Sequence, residues 1–324
     1  MATSSYWVER HRRVLIGLPM YGAVILISCN FLSIYLIICT YYWYIPLVYL
    51  LWMLLDINSC ETGSRGFACL RKIRLPDFPF LFETSTPYQL DPDRNYLFCC
   101  YPHGPLPYGF IKDFMFDKGK FKEYFPNHKT YMTNMHASFL IPYFREMLLV
   151  FGCCSASEKS LNYLLSKPNG GNAVALILGG RDEMNYVHKK DYHIVLKRRK
   201  GFARVALKNG SPIVPVFSFG ANDVYNYPQN RIRQFLEWLE SRTGANLMIS
   251  YGQGIFHNWY GGVPFIKPIN TIVGEPIDVV KNDNPSREEI EELHAKFTNA
   301  LIKLFDDHKD KYEPGGIKKL IIIE

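Results

Sequence analysis

The residue types best suited to chemistry stand at the ends of apolar runs. His103 lies between Pro102 and Gly104, just after Tyr101 and the apolar run 96–100, which reads as a buried strand. Proline fixes φ before the ring and glycine frees the backbone after it. The pair therefore holds an imidazole at a set angle at a strand end, where open α/β sheets gather their reactive groups. With an ordinary pKa of about 6.5, imidazole is a base at neutral pH. An isolated histidine also fits a core or turn position with both ring nitrogens satisfied, so its surroundings must decide.

A second group occupies the same kind of place. Gly179-Gly180-Arg181-Asp182-Glu183 follows the apolar run 173–178. If the two runs are parallel neighbours, both loops reach one sheet edge, and Glu183 can accept the imidazole N–H and stabilise the imidazolium formed in proton transfer. A solvated turn is the alternative for a glycine pair followed by charges. Lys197-Arg198-Arg199-Lys200-Gly201 leads into a helical segment with Arg204 one turn inside. Free N–H groups, the helix dipole and cations together suit phosphate, the adenosine phosphates of coenzyme A among them. Taken alone, the run suits a nucleic-acid patch or a grip on anionic lipid equally well.

Elements to position these groups are visible. The apolar runs 96–100, 173–178, 213–219 and 271–273 alternate with segments of helical period, which predicts an α/β domain with a mixed or mostly parallel sheet flanked by helices. Ser286 with Glu289 forms a capping box for a helix over 286–305 that turns Ile290, Leu293, Phe297, Leu301, Leu304 and Phe305 inward. A shorter helix over 202–209 stops at Gly210.

The 324 residues carry a net charge of +7 and are 48% hydrophobic, enough for a core and a membrane segment. No charged side chain lies between Arg13 and Asp56, a stretch about twice the ~20 residues that one helical crossing needs. Arg10, His11, Arg12 and Arg13 precede it, and Arg65, Arg71, Lys72 and Arg74 follow. Positive charge on both flanks predicts a transmembrane helical hairpin over 14–55 with both ends cytosolic, its turn near Pro46, with insertion into one leaflet as the variant. Residues 1–13 are then a basic tail, 56–92 a membrane-proximal connector, and 93–324 the catalytic domain. Eight cysteines without zinc spacing suit reduced core thiols. There is no Gly-x-Ser-x-Gly elbow, Gly-x-x-x-x-Gly-Lys loop, complete dinucleotide fingerprint or His-Glu-x-x-His cluster, so serine-hydrolase, kinase, dehydrogenase and metallohydrolase readings lose their support.

Collinear motifs span the chain. They run from the apolar hairpin through Asn95-Tyr96-Leu97-Phe98, Pro102-His103-Gly104, Pro142 with Arg145-Glu146, Tyr163-Leu164-Leu165-Ser166-Lys167, and Gly179-Gly180 with Glu183. They continue through Arg199-Lys200-Gly201-Phe202, Pro215 with Ser218-Phe219-Gly220 and Asn222, and Val273-Gly274-Glu275-Pro276-Ile277 to Leu304-Phe305. Together they resemble the type 2 diacylglycerol O-acyltransferase family, which includes monoacylglycerol and wax-alcohol acyltransferases.

The resemblance implies a glycerolipid-acyltransferase-like fold and transfer of a fatty acyl group from acyl-CoA to a lipid hydroxyl at the endoplasmic reticulum or lipid-droplet surface. Diacylglycerol is the expected acceptor, monoacylglycerol or a long-chain alcohol the alternatives, and a non-catalytic lipid-binding member the rival. His103 is the expected base of a direct transfer and Glu183 its orienting partner, with amides near Pro102, Gly104, Gly179 and Gly180 for the oxyanion. Lys197, Arg198, Arg199, Lys200, Gly201 and Arg204 are expected to hold acyl-CoA, which is a co-substrate; no cofactor or metal is expected. The bilayer is a partner, nucleic acid is not, and self-association is left open.

Six positions depart from the family pattern, among them Pro105 and Pro107, which stiffen the loop after His103 where small or apolar residues are usual. Tyr101 stands where histidine is common, Glu158 where arginine is common, and Arg181-Asp182 where small residues are usual. Soluble glycerol-phosphate acyltransferases place an aspartate where this chain has Tyr108, which disfavours a lysophospholipid acceptor.

Overall fold

The computed structural model describes residues 2–74, 80–228, 231–243, 249–254, 260–313 and 318–323. Seven strands form the central sheet: β1 Phe80–Thr84, β2 Tyr96–Tyr101, β3 Lys129–Asn134, β4 Cys154–Ser155, β5 Asn172–Ile177, β7 Ile213–Phe219 and β8 Ile269–Val273, in the order β1-β8-β7-β2-β5-β3-β4. β7, β2, β5, β3 and β4 run parallel, β8 runs antiparallel to β7, and β1 parallels β8. The sheet is thus mixed and mostly parallel. β6 Tyr192–Val195 and β9 Leu320–Ile323 form a separate parallel pair.

All four expected strands exist, as β2, β5, β7 and β8. β2 is buried on both faces, as a central parallel strand should be. Leu97, Cys99 and Tyr101 pack with Phe202, Phe297 and Leu301 of the covering helices, while Phe98 and Cys100 pack with Phe110, Phe114 and Phe121. This alternation follows from the two-residue period of a strand. The capping box at Ser286 and Glu289 opens helix Arg287–Tyr312, which runs past the expected end at 305 because its last turn is anchored to the sheet. Lys311 and the Tyr312 hydroxyl both donate to Glu83 of β1, at 3.0 and 2.6 Å. Helix Gly201–Asn209 stops at Gly210, whose φ is 64°.

The boundary expected at residue 93 is corrected. β1 lies within the supposed connector, and its residues from Cys60 to Arg71 are pinned to the domain. Cys60 is in the core, and the buried Arg71 guanidinium donates to Asp117 at 2.8 Å and to the Thr130 hydroxyl at 2.9 Å. Residues 75–79 of that connector lie outside the described residues. β3, Lys-Thr-Tyr-Met-Thr-Asn, has no apolar run to announce it. Its buried polar groups are satisfied instead, Thr130 by Arg71 and Thr133 by donating to the Ala175 carbonyl at 2.9 Å.

The N-terminal segment is also corrected. Helix α1 spans Ala2–Cys39, so the basic cluster at 10–13 lies within it rather than before it. Within α1, Tyr21–Cys39 is long and apolar enough to cross a bilayer, and it is the one such helix among the described residues. Helix α2, Tyr44–Leu55, has 12 residues and reaches about 18 Å, short of a ~30 Å hydrocarbon core. Among the described residues one helix, not two, therefore has the length of a full crossing.

Both helices dock on one segment of the domain. Asn30 donates to the Pro142 carbonyl at 3.3 Å, and the Ser33 and Tyr143 hydroxyls lie 2.5 Å apart. Tyr49 stacks on Tyr143 with ring centroids 4.6 Å apart. Tyr143 has a φ of 63°, and the Tyr49 hydroxyl accepts its amide at 2.9 Å. Arg145, 1% exposed, donates to Asp56 at the end of α2 at 3.0 Å and to Glu146 at 2.6 Å. Arg65 also reaches both carboxylates, so Arg145→Ala removes the buried one of two shared cations and is expected to lower stability by about 1–3 kcal/mol. The readout is the melting temperature of the detergent-purified protein; an unchanged value would show that docking of the helices contributes nothing to the fold.

Candidate active site

β2 pairs with β5 on one side and β7 on the other, all three parallel. Their C-terminal ends deliver three loops to one edge: Pro102-His103-Gly104, Gly179 to Glu183, and Gly220-Ala221-Asn222. His103 is 7% exposed, and its Nε2 lies 2.9 Å from the Gly180 carbonyl. A carbonyl only accepts, so Nε2 carries the hydrogen and Nδ1 keeps the lone pair. Burial pushes the His103 pKa below its ordinary value, against the carbonyls of Gly180 and Gly104, which favour the charged ring.

Glycine geometry fixes this loop. Gly104 has a φ of 63°, and a Cβ there would run into the Ala221 carbonyl. A Cβ on Gly179 would collide with the Glu183 carboxyl, and Gly180, with φ 58°, turns the chain beneath the imidazole. The Pro102 side chain is buried beside them.

Glu183 meets His103, but not at the ring. Its Oε1 accepts the His103 backbone N–H at 3.2 Å, and the Val195 amide, like that of His103, favours the charged carboxylate. The expected contact to the imidazole is thus corrected: the ring N–H is taken by the Gly180 carbonyl, and Glu183 holds the main chain. Desolvation explains the difference. The residue is 1% exposed, and burial drives its pKa up to about 8 despite the nearby amides and Arg199, which favours the protonated carboxyl over a carboxylate paired with the ring.

Tyr101, the departure next to the histidine, is fully buried, and its hydroxyl donates to the Val195 carbonyl at 2.9 Å. It braces the β6 residue whose amide serves Glu183. Tyr108 is also core, its hydroxyl 3.3 Å from that of Tyr225.

The basic run lines a cavity of about 440 Å³ together with Gly180, the residue beneath the His103 ring. Arg198, Arg199, Lys200, Gly201 and Arg204 all reach it. Lys200 caps the following helix without a side-chain bond to its amides, and a Cβ on Gly201 would meet open space. Lys197 is exposed and lies outside that lining. Four of these cations are paired within the fold. Arg198 and Arg199 each hold Asp182 at 2.6 Å, Lys200 holds Glu291, and Arg204 and Lys208 share Glu158 at 2.9 Å. The acidic departures Asp182 and Glu158 are therefore counter-ions, and a bound phosphate would exchange with them.

Asn222 had a place among the motifs but no role. Its Oδ1 stands 3.6 Å from where a Gly104 Cβ would sit, and it lines a second cavity of about 550 Å³. The signal available in the sequence was that 213–219 ends in a loop exactly as the other two apolar runs do, at a third strand end.

A family model described as diacylglycerol acyltransferase matches residues 35–322. The chain is 33% identical to acyl-CoA wax alcohol acyltransferase 2 of Mus musculus over 93% of its own length and 92% of that protein. It is 37% identical to 2-acylglycerol O-acyltransferase 1 of Bos taurus, over 88% and 87%. Among solved structures, the 1-acyl-sn-glycerophosphate acyltransferase PlsC from Thermotoga maritima aligns at 14% identity with a TM-score of 0.38, covering 91% of this chain and 98% of that one.

Because burial favours a neutral Glu183, Glu183→Gln is expected to keep the melting temperature close to wild type, whereas Glu183→Ala removes the acceptor from the His103 amide and lowers stability by about 1–3 kcal/mol. Equal losses in the two variants would mean that the carboxyl is charged in the fold.

Proposed function

The chain belongs to the diacylglycerol acyltransferase family, and on that premise we propose that it transfers a fatty acyl group from acyl-CoA to a free hydroxyl of a partial glyceride, diacylglycerol or monoacylglycerol. The observation that carries this reading is the His103 ring, which has its Nε2 hydrogen engaged by Gly180 and its Nδ1 lone pair unshared by that bond. It sits at a strand end whose neighbours line two separate cavities, Gly180 the basic one and Asn222 the other. Two substrates meeting at one base need such an arrangement.

In the proposed step, Nδ1 takes the proton of the acceptor hydroxyl as its oxygen attacks the thioester carbonyl. The new C–O bond gives a tetrahedral oxyanion, for which amides near Gly104 and Gly179 are the candidate donors. The C–S bond then breaks, the imidazolium returns the proton to the thiolate, and free coenzyme A and the ester leave. Burial serves this chemistry by keeping the ring neutral before the acceptor arrives. The basic cavity receives the phosphates of acyl-CoA, with the uncapped amides after Lys200 and the Arg204 side chain as its binding groups. A non-catalytic lipid-binding role gives no reason for a base so placed.

The glyceride is dissolved in the membrane, so the helices must hold the domain there. The outer face of α1, including Ile25, Phe31 and Leu32, is exposed and apolar. With α2 too short to cross, the pair enters and returns on the cytosolic side of the endoplasmic reticulum, a topology that also suits a lipid-droplet monolayer. Protease added to sealed microsomes is expected to remove tags at both termini; protection of either would sink this topology.

Microsomes containing the protein, given labelled oleoyl-CoA and diacylglycerol, monoacylglycerol or hexadecanol, are expected to form labelled neutral lipid above a vector control. His103→Ala should lower the rate by at least about 100-fold, and normal turnover in that variant would remove His103 from the mechanism. Since the ring must be neutral and its pKa is shifted downward, kcat/KM is expected to be flat at pH 7 and to fall with acid only below about 6.5. A midpoint above that value would contradict the assignment.

A further inference from the structure

Asn222 is 8% exposed, and its Oδ1 receives no hydrogen bond from any described residue. A buried amide oxygen left in that condition costs about 1–3 kcal/mol, and this one stands beside Gly104, next to the catalytic ring. It belongs to the wall of the 550 Å³ cavity, which Tyr225 and Tyr251 also line. An amide oxygen only accepts, so a ligand completing it must bring an O–H or N–H.

The charges around the cavity decide between the two. Lys189, Lys190 and Lys267 line it, while its carboxylates Asp223 and Glu313 are both engaged by Lys318, at 2.5 and 3.2 Å. A cationic amine is repelled there and a neutral hydroxyl is not.

We propose that this cavity receives the polar end of the acceptor lipid and that Asn222 Oδ1 binds an acceptor hydroxyl other than the one that reacts. The reacting hydroxyl gives its proton to His103, so an acceptor with one hydroxyl cannot complete Asn222 as well. A glycerol carrying two free hydroxyls completes both. Asn222 thereby sets a preference for monoacylglycerol-type acceptors over diacylglycerol and long-chain alcohols. This assignment rests on the acyl-transfer reading and names the acceptor side of the same site.

The test compares 2-monooleoylglycerol with its matched analogue lacking one hydroxyl, 2-oleoyloxypropan-1-ol, using oleoyl-CoA and the full chain in microsomes. Wild type is expected to favour the diol, and Asn222→Ala to reduce the diol-to-analogue ratio of kcat/KM about 5- to 30-fold, largely through KM. Asn222→Asp retains an acceptor oxygen and is expected to hold the preference. If Asn222→Ala does not accumulate, Asn222→Leu, of similar size and without an acceptor, gives the same readout. A ratio unchanged on removing the carboxamide, or a wild type that prefers the analogue, overturns the assignment while leaving acyl transfer intact. A wild type inactive on these acceptors and also on diacylglycerol and hexadecanol overturns the acyl-transfer reading and this one with it.

Discussion

One buried carboxyl joins the end of β2 to the turn after β5. Glu183 spends its acceptor oxygen on the amide of His103, and the short turn that carries it also presents the Gly180 carbonyl to the His103 ring. Backbone and side chain of the same histidine are thus fixed by residues three apart in sequence. An ionised carboxylate in that position would be a buried charge facing few donors; a neutral one is a fixed strut. The contacts that hold the histidine are made by main-chain carbonyl and amide groups on one side of each bond, and the glycine geometry around them brings the main chain close enough to make them.

Charge is concentrated on the neighbouring face instead, and there it is compensated. Every arginine or lysine that lines the basic cavity and is described above as paired holds a carboxylate from elsewhere in the chain. Exposed pairs of this kind contribute little to stability. Their effect is on exchange: an incoming anion replaces one acid with another rather than ordering loose side chains, so the helix N-terminus is kept positioned while its amides remain open.

The amino-acid sequence makes much of this legible because the site sits at strand ends. Apolar runs reveal β2, β5 and β7, and the residues following them are the loops that matter; Ser286 and Glu289 reveal the longest scaffold helix. Pattern does not reveal which atom of Glu183 meets which atom of His103, since proximity follows from strand order while protonation follows from burial. Nor does it reveal β3, whose buried threonines are matched by groups distant in sequence, or β1, which lacks a run long enough to separate it from the connector. The ion pairs of the basic run depend on Glu158 and Glu291, whose nearness exists only in the folded chain. The apolar stretch up to Leu55 has the length for two crossings, but composition does not show where the chain turns, and a break at 40–43, past the middle of the stretch, leaves α2 short.

The docking of the helices bears on how the protein is made. Residues 2–55 leave the ribosome before the segment at 142–146 against which they pack, so in the proposed membrane anchor Asn30 and Ser33 would enter lipid ahead of their partners. Each has a provisional one: Asn30 also donates to the Ile27 carbonyl at 3.0 Å and Ser33 to that of Cys29 at 3.0 Å. Bonding back to their own helix lets these polar groups wait in hydrocarbon without exposing an unsatisfied donor. The same side chains that attach these helices to the domain are therefore compatible with a proposed anchor that is inserted first and joined later.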